Sequence, residues 1–336
     1  PATMINDAPV VFDDPNLEST WRPENYSGQF YGPTRLREAL YRSRNLVSIR
    51  ILRAIGASYV VEYAERFGFR PEQLPKDLTL ALGSASVTPL QMARAYAVLA
   101  NGGYLVDPYY IEHIYDASGE ELYSANPLVA CPDCPVETAA TAQVEPVDVV
   151  IQASAEADEN PEALPVDAPV RPAPQVLTPQ NVWQMTSMMR DVSQRGTGRK
   201  ARSLGRKDIA GKTGTTNDQK DGWFCGFNHA MVAVSWVGFD KLEPLGRGET
   251  GGRSALPMWI DYMAVALDGV PARKQQPPSG LVTVRIDPST GLLAGSGQSD
   301  AVFETFREEY VPQQSSDSLG GGAASGSTGA VTDQLF

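Results

Sequence analysis

Residues 208–216, with the sequence Asp-Ile-Ala-Gly-Lys-Thr-Gly-Thr-Thr, combine residue types that could bind an anionic or acyl substrate. An ammonium group beside hydroxyls suits a carboxylate, and a glycine without Cβ lets a ligand's backbone come close. On an edge strand, free N–H groups could also hold an extended peptide or an acyl oxygen. The alternative is an ordinary surface strand with a lysine. The candidate residues are Lys212, Thr213, Gly214, Thr215 and Thr216.

The residues that follow predict the sheet that must position this stretch. Residues 223–227 and 231–239 are aromatic, β-branched and alternating, as strands are. The link between them is short enough for a hairpin, and residues 217–222 are polar and turn-rich. The pattern predicts an antiparallel sheet, with Thr213 and Thr215 on one face and Lys212 and Gly214 on the other.

A second candidate group, Ser43-Arg44-Asn45, interrupts a helical pattern far upstream. Acyl transfer needs a hydroxyl that relays a proton and an amide that orients the acyl donor, and this group offers both. The alternative is a hydrophilic turn between two helices.

Helical patterns fill most of residues 34–102 and predict a helical subdomain across a cleft from the sheet. The predicted elements are a broken helix from Thr34 to Gly56, a helix that carries Val60 and stops at Gly68, and a helix that opens with a capping box of Thr88, Pro89 and Gln91 and ends at Gly102.

The remaining patterns complete a mixed architecture. A helix starts at Thr178-Pro179, a second helix covers 257–267, and a strand covers 281–287. Residues 104–123 predict two short strands around a turn, while residues 1–33 are rich in Pro, Asn and Asp and predict an extended loop. The predicted fold class is α/β (mixed), with an antiparallel sheet, helices on both faces and the helical subdomain.

Composition shifts divide the chain. Residues 1–275 predict the main domain, interrupted at 128–176 by an acidic, Pro-rich insertion without the means to form a core. Residues 276–312 predict a C-terminal strand extension, and residues 313–336 predict a disordered tail.

Net charge and apolar runs exclude some functions. A formal charge of −12 and a pI near 4.7 argue against nucleic-acid binding. No apolar run approaches a membrane span, and a chain that begins at Pro1 is expected to be a fragment with any targeting segment upstream. One basic loop could favour an anionic substrate, although a solvated loop is the simpler interpretation; its cations are Arg199, Lys200, Arg202, Arg206 and Lys207.

The three cysteines favour a local disulfide over a metal site. Cys131 and Cys134 are closely spaced, which allows a disulfide in an oxidising compartment. A zinc site would need further ligands, and His113 and His229 are isolated. Cys225 lies in a strand pattern and is expected to be a buried thiol. No metal or cofactor is predicted.

Together, Ser43-Arg-Asn45 and Lys212-Thr-Gly-Thr-Thr216 resemble the transpeptidase domain of class A penicillin-binding proteins, the bifunctional peptidoglycan synthases of bacteria. The resemblance extends to about residue 312. Further matching stretches are Trp21-Arg-Pro-Glu-Asn-Tyr26, Gly32-Pro-Thr-Arg-Leu-Arg-Glu-Ala-Leu40, Ala81-Leu-Gly-Ser-Ala-Ser-Val-Thr-Pro89, Ala100-Asn-Gly-Gly103 and Lys220-Asp-Gly-Trp-Phe224.

This resemblance implies roles for individual residues. Ser43 would relay a proton to the leaving group, Asn45 would bind the amide of the acyl donor, and Lys212 would orient Ser43 and supply positive potential. Thr213 and Thr215 would bind the terminal carboxylate in a site that Gly214 and Thr216 complete. The N–H of Thr215 would be one of two oxyanion-hole donors.

The resemblance also implies the substrates, partners and location. The substrates would be peptidoglycan stem peptides, and β-lactams would be inhibitors. A glycosyltransferase domain and a membrane anchor would precede this part of the protein, on the periplasmic face of the bacterial inner membrane. An outer-membrane lipoprotein would be its activator.

One departure from the family pattern matters. The family's nucleophile belongs to a Ser-x-x-Lys motif, and no serine here has lysine three residues later. The motif is expected upstream of Pro1, so the chain alone should be inactive. Two alternatives are a serine β-lactamase, for which no matching Glu-x-x-x-Asn arrangement occurs, and a pseudo-catalytic scaffold or peptide-binding module.

Overall fold

The computed structural model describes residues 1–11, 21–132, 134 and 170–316. Most of the predicted insertion and the tail after residue 316 lie outside the described residues. Within the described part, the strands are β1 (Met4–Asp7), β2 (Gly32–Arg35), β3 (His113–Tyr115), β4 (Glu121–Ser124), β5 (Leu128–Val129), β6 (Arg171–Pro172), β7 (Ala210–Thr215), β8 (Asp221–Phe227), β9 (Val232–Gly238), β10 (Leu281–Ile286) and β11 (Val302–Arg307). The α-helices are α1 (Leu36–Arg42), α2 (Asn45–Ile55), α3 (Ala57–Ala64), α4 (Pro89–Ala100), α5 (Pro179–Arg195) and α6 (Ala255–Ala266).

The central sheet has the order β7-β8-β9 among the described strands and is antiparallel throughout. Its register pairs Lys212 with Cys225 and Gly214 with Trp223, so these four side-chain positions share one face. Thr213 and Thr215 lie on the other face, as the alternation predicts. β7 pairs only with β8 within the described residues and is therefore an edge strand.

Helices cover both faces of this sheet, and each face has its own core. On the Lys212 face, Phe227 packs with Val98 of α4 and with Val182 and Met189 of α5. On the opposite face, Phe224 packs against Trp259 of α6, with ring centroids 4.9 Å apart. This arrangement confirms the predicted class: an antiparallel sheet with helices on both faces and a helical subdomain beside it.

The predicted helices form, with small differences at their ends. α4 has the capping box: the Thr88 hydroxyl accepts from the Gln91 N–H, and the Gln91 side chain accepts from the Thr88 N–H. The predicted break at Ser43 separates α1 from α2. The helix predicted from Thr34 begins at Leu36, because Thr34 and Arg35 belong to β2.

Residues 1–33 were predicted as a loop, and this prediction is wrong in part. β1 pairs with β2 in antiparallel register, from Met4 with Arg35 to Asp7 with Gly32. Two strands were predicted within residues 104–123. They form as the β3–β4 hairpin, but residues 105–112 are not in a strand.

The boundaries of the predicted insertion and tail also differ from the structure. β5 and β6 pair in parallel and close the ends of the insertion. Residues 313–316 were predicted to be disordered, but Gln314 and Ser316 form backbone hydrogen bonds with Leu293. Cys131 and Cys134 form a disulfide, and Cys225 is a buried free thiol. Within the described residues, no helix is both long and apolar enough to cross a membrane.

A buried ion pair ties the C-terminal hairpin β10–β11 to α1. The Arg37 guanidinium donates to both carboxylate oxygens of Glu304, each at 2.7 Å. It also donates to Asp191 of α5 at 2.9 Å. The Arg37 guanidinium therefore links the hairpin and α1 to α5, and both helices lead to the candidate site.

Candidate active site

Ser43 lies at the end of α1 in a strained backbone conformation. Its φ and ψ are 56° and 57°, in the left-handed region that L-residues rarely adopt. Its N–H donates to the carbonyl of Leu40, and the Arg44 N–H donates to the carbonyl of Ala39, so the turn closes the last carbonyls of α1. The side chain of Ser43 is thereby placed at a fixed point between the two helices.

A direct hydrogen bond joins the two sequence-predicted motifs. The Lys212 ammonium donates to the Ser43 hydroxyl at 2.8 Å, although the residues are 169 positions apart. A second bond, from the same ammonium to the Thr213 carbonyl at 2.9 Å, fixes its position along β7. The helical subdomain and the sheet therefore meet at this pair.

The end of α5 explains how α1 comes so close to the sheet. The Thr197 N–H donates to the Tyr41 carbonyl at 3.1 Å. A Cβ at Gly196 would lie 2.3 Å from the same carbonyl oxygen, so this approach requires glycine. Thr197 also shares a 2.7 Å hydroxyl hydrogen bond with Thr213. The turn after α5 thus contacts both α1 and β7.

The two threonines predicted to bind substrate are held by different partners. Thr213 is held by Thr197, while the Thr215 hydroxyl accepts the Gly251 N–H at 3.0 Å. Gly251 belongs to a loop that lies directly on β7 and β8, since a Cβ there would lie 2.2 Å from the Gly214 carbonyl oxygen. Both hydroxyls are therefore pre-oriented by the protein.

Asn45 opens α2 and is anchored to a neighbouring segment. Its side-chain amide donates to the Glu24 carbonyl at 2.8 Å. The intervening Arg44 is anchored by other groups, with its guanidinium carbon 3.3 Å from the centroid of the Tyr31 ring and its Nε 3.8 Å from Asp7. All three residues line the cleft, but only Arg44 is held there by an aromatic ring and a carboxylate.

A cleft of about 1150 Å³ separates the helical subdomain from β7. Ser43, Asn45 and the three predicted threonines line it. Lys212 is not part of this lining and lies behind Ser43. Gly214 is not part of it either: a Cβ there would meet the Trp223 Cβ at 3.1 Å, so its side-chain position faces Trp223.

The environment of Lys212 decides its charge. Burial lowers the pKa of Lys212 to about 8, and the nearby Cys225 partly opposes that decrease. Burial raises the pKa of the Cys225 thiol to about 12 and the pKa of Tyr96 well above its ordinary value. At neutral pH Lys212 is therefore largely a cation, while both of these neighbours are uncharged.

Sequence reasoning missed Thr197 and Gly251 as parts of the site. The residues around Thr197, Arg195-Gly-Thr-Gly198, lie outside both predicted motifs and were assigned no role in the site. The two small residues flanking Thr197 were an available signal for a close backbone approach. Nothing in the residues near Gly251 indicates which strand they would contact.

Comparisons with known proteins identify the family of this chain. Residues 2–243 match the family model described as the penicillin binding protein transpeptidase domain. The match spans most of the chain and includes both motifs. The chain belongs to the family of penicillin-binding protein transpeptidase domains.

Within that family, the likeness is to the 1A type. The chain is 47% identical to penicillin-binding protein 1A of Pseudomonas aeruginosa over 93% of its own length and 39% of that protein. It is 38% identical to penicillin-binding protein 1A of Vibrio cholerae, over 95% of its length and 40% of that protein. The chain thus spans about two fifths of the length of these curated relatives.

Two solved structures share the fold of this chain. The crystal structure of penicillin-binding protein 1A from Haemophilus influenzae has a TM-score of 0.79 and 35% identity, covering 93% of this chain and 45% of that one. The penicillin-binding protein PonA1 from Mycobacterium tuberculosis, with a TM-score of 0.61 and 20% identity, covers 82% of this chain and 66% of that one and shares the fold.

Proposed function

We propose that the cleft binds the D-alanyl-D-alanine end of a peptidoglycan stem peptide and serves serine D,D-transpeptidation, with β-lactams as inhibitors. The Lys212–Ser43 hydrogen bond carries this proposal, because it places a cation and a relay hydroxyl beside two oriented threonines. A carboxylate at the threonines would receive their hydroxyl hydrogen bonds and the potential of Lys212.

The nucleophile would come from a Ser-x-x-Lys motif outside these 336 residues, because no serine in the chain has lysine three residues later. Its hydroxyl would attack the penultimate D-alanine carbonyl and form an ester, and the C–N bond would break to release D-alanine. The amine of a neighbouring strand would then attack the ester and restore the serine. Ser43 would donate a proton to the first leaving amine, Asn45 would bind the donor amide, and the Thr215 N–H would stabilise the oxyanion.

The wider context is proposed from the relatives. The part of the parent protein outside this chain would carry a glycosyltransferase domain and a membrane anchor, since the chain spans only 39% of the Pseudomonas protein. The parent protein would lie on the periplasmic face of the inner membrane, with an outer-membrane lipoprotein as activator. The Cys131–Cys134 disulfide supports an oxidising compartment.

Fluorescent penicillin labelling, followed on a denaturing gel, tests the proposal. The 336-residue chain is compared with a longer form that extends upstream through the missing motif. We expect stable label on the longer form and none on the chain alone, because the serine and one of two oxyanion donors are absent, and one donor alone is worth roughly 10²–10³ in rate. Label on the chain alone would mean that a serine within it is the nucleophile. No label on either folded form would favour a non-catalytic scaffold.

A further inference from the structure

The cleft is positively charged in a protein that is strongly acidic. The chain has a formal charge of −12. Among the described residues that line the cleft, seven are arginine or lysine, and two, Glu24 and Asp218, are carboxylates. A cleft lined by one sign of charge concentrates ligands of the opposite sign. One terminal carboxylate, bound at the threonines, would not require so many cations.

Four of the seven cations are already paired with carboxylates. Their partners neutralise them and hold them in place, so they are poorly suited to hold a ligand. The pairs are Arg42 with Glu38 at 2.8 Å, Arg44 with Asp7 at 3.8 Å, Arg195 with Asp191 at 2.6 Å and Arg253 with Glu249 at 3.4 Å.

Arg199 and Lys200 differ from these four. Both are exposed to the cleft at the start of the short 3-10 helix Arg199–Leu204, and neither forms an ion pair within the described residues. They come directly after the turn in which Thr197 bonds to Thr213. The two cations therefore lie beside the threonines proposed to bind the terminal carboxylate, but they are not part of that binding site. Arg22 also lines the cleft without such a pair, next to residues 12–20, which lie outside the described part.

Two other cations of the basic loop, Arg202 and Arg206, have different surroundings. Arg206 forms two hydrogen bonds with the Asp208 carboxylate, at 3.0 and 2.7 Å. Arg202 lies on the same 3-10 helix as Arg199 and is exposed, but it is not among the residues that line the cleft. Of the cations of this loop, Arg199 and Lys200 therefore line the cleft, and Arg202 can serve as the control position.

We propose, building on the transpeptidase function above, that Arg199 and Lys200 bind a second carboxylate of the stem peptide, upstream of its D-alanyl-D-alanine end. They would be specificity-determining residues that favour a peptide with a free carboxylate at that place over the same peptide with a carboxamide. A carboxamide keeps the shape of the group but carries no charge, so it loses the attraction to both cations.

The experiment uses the full-length protein that carries this chain and a matched pair of D-alanyl-D-alanine peptides, one with the upstream carboxylate and one with the carboxamide. Release of D-alanine gives kcat/KM for each peptide. We define the acid-to-amide ratio as kcat/KM for the carboxylate peptide divided by kcat/KM for the carboxamide peptide. In the natural protein we expect this ratio to be about three to ten, since exposed ion pairs are individually weak. The ratio should fall to near one in R199Q/K200Q and stay unchanged in R202Q. Raising the salt concentration should also lower the ratio in the natural protein.

The possible outcomes separate the two proposals. A ratio near one in the natural protein, or a high ratio that survives in R199Q/K200Q, would overturn the specificity role while D-alanine release upholds the acylation step of the transpeptidase function. Absence of both D-alanine release and penicillin labelling in the natural protein would overturn the transpeptidase function and this inference with it. Penicillin labelling of each variant also verifies that its site is folded.

Discussion

Ser43 combines a functional side chain with an unfavourable backbone. The left-handed conformation at φ 56° and ψ 57° lets α1 end while the hydroxyl points at Lys212. A non-glycine residue there costs about 1–2 kcal/mol. Glycine would remove that cost but also the hydroxyl. The serine is therefore retained at a cost in stability, as is typical of strained positions in functional sites.

Two substitutions separate these effects. Ser43→Gly and Ser43→Ala both delete the hydroxyl, but only glycine relieves the backbone strain. We expect the free energy of unfolding of Ser43→Gly to exceed that of Ser43→Ala by about 0.5–1 kcal/mol, after allowing for the greater freedom of glycine in the unfolded chain. Chemical denaturation measures the difference. Equal stabilities would show that no strain is stored at residue 43.

The pKa of Lys212 leads to a pH dependence. Lys212 is a cation below its pKa of about 8 and loses its charge above it. The affinity of the full-length protein for a D-alanyl-D-alanine peptide should be steady near pH 6–7 and then fall roughly five- to tenfold through the pKa, as a charge-assisted contact is lost. Cys225 and Tyr96 do not titrate in this range, because burial raises both pKa values.

Equilibrium binding between pH 6 and 10 at constant ionic strength measures this effect. Lys212→Met provides the baseline, since its affinity should be low and independent of pH across the same range. A natural protein with unchanged affinity up to pH 9.5 would mean that Lys212 does not supply the attraction.

At the scale of elements, the loop that carries Gly251 stabilises the substrate strand from outside. Its backbone donates to Thr215, and the approach leaves no space for a side chain. Gly251→Ala should push the loop away from β7 and β8 and lower the free energy of unfolding by about 1–3 kcal/mol, as overpacking commonly does. Hydrogen exchange of the loop measures its displacement, and denaturant unfolding measures the loss of stability.

Gly297→Ala is the matched control, because nothing lies within 4 Å of a Cβ built there. It should leave the stability and the exchange of the Gly251 loop unchanged. A Gly251→Ala protein that behaves like this control would contradict the close packing of the loop on the sheet.

Sequence patterns predicted the elements that depend on local signals. The capping box at Thr88, the break at Ser43 and the alternation of β7 need only neighbouring residues, and all appear in the structure. The pairing of β1 with β2 was missed because neither short strand has an alternating apolar pattern and the two lie far apart in sequence. The hydrogen bonds of Thr197 and Gly251 were missed because each joins two segments that come together only in the folded structure.

At the scale of the whole molecule, the C-terminal hairpin reaches the site through helices. Its Glu304 is almost fully buried and binds Arg37 of α1, the helix that ends beside Ser43. The same guanidinium reaches Asp191 of α5, the helix that leads to Thr197. We propose that residues 276–312 form one folding unit with the preceding domain rather than a separate appendage.

Glu304→Gln tests this proposal. The substitution preserves the shape of the side chain but leaves the buried Arg37 guanidinium with Asp191 as its remaining carboxylate partner at hydrogen-bonding distance. Removing one partner of a buried pair commonly costs 3–5 kcal/mol, and the retained Asp191 should hold the loss to about 3 kcal/mol.

Glu309→Gln is the control, since Glu309 and Arg307 form an exposed pair at 3.7 Å on the same segment, and exposed pairs contribute at most about 1 kcal/mol. Denaturant unfolding should give one cooperative transition that moves to lower denaturant concentration in Glu304→Gln and hardly moves in Glu309→Gln. If the hairpin instead unfolds in a separate early transition while the rest keeps its stability, it is an independent unit, and the Arg37–Glu304 pair does not couple it to the site.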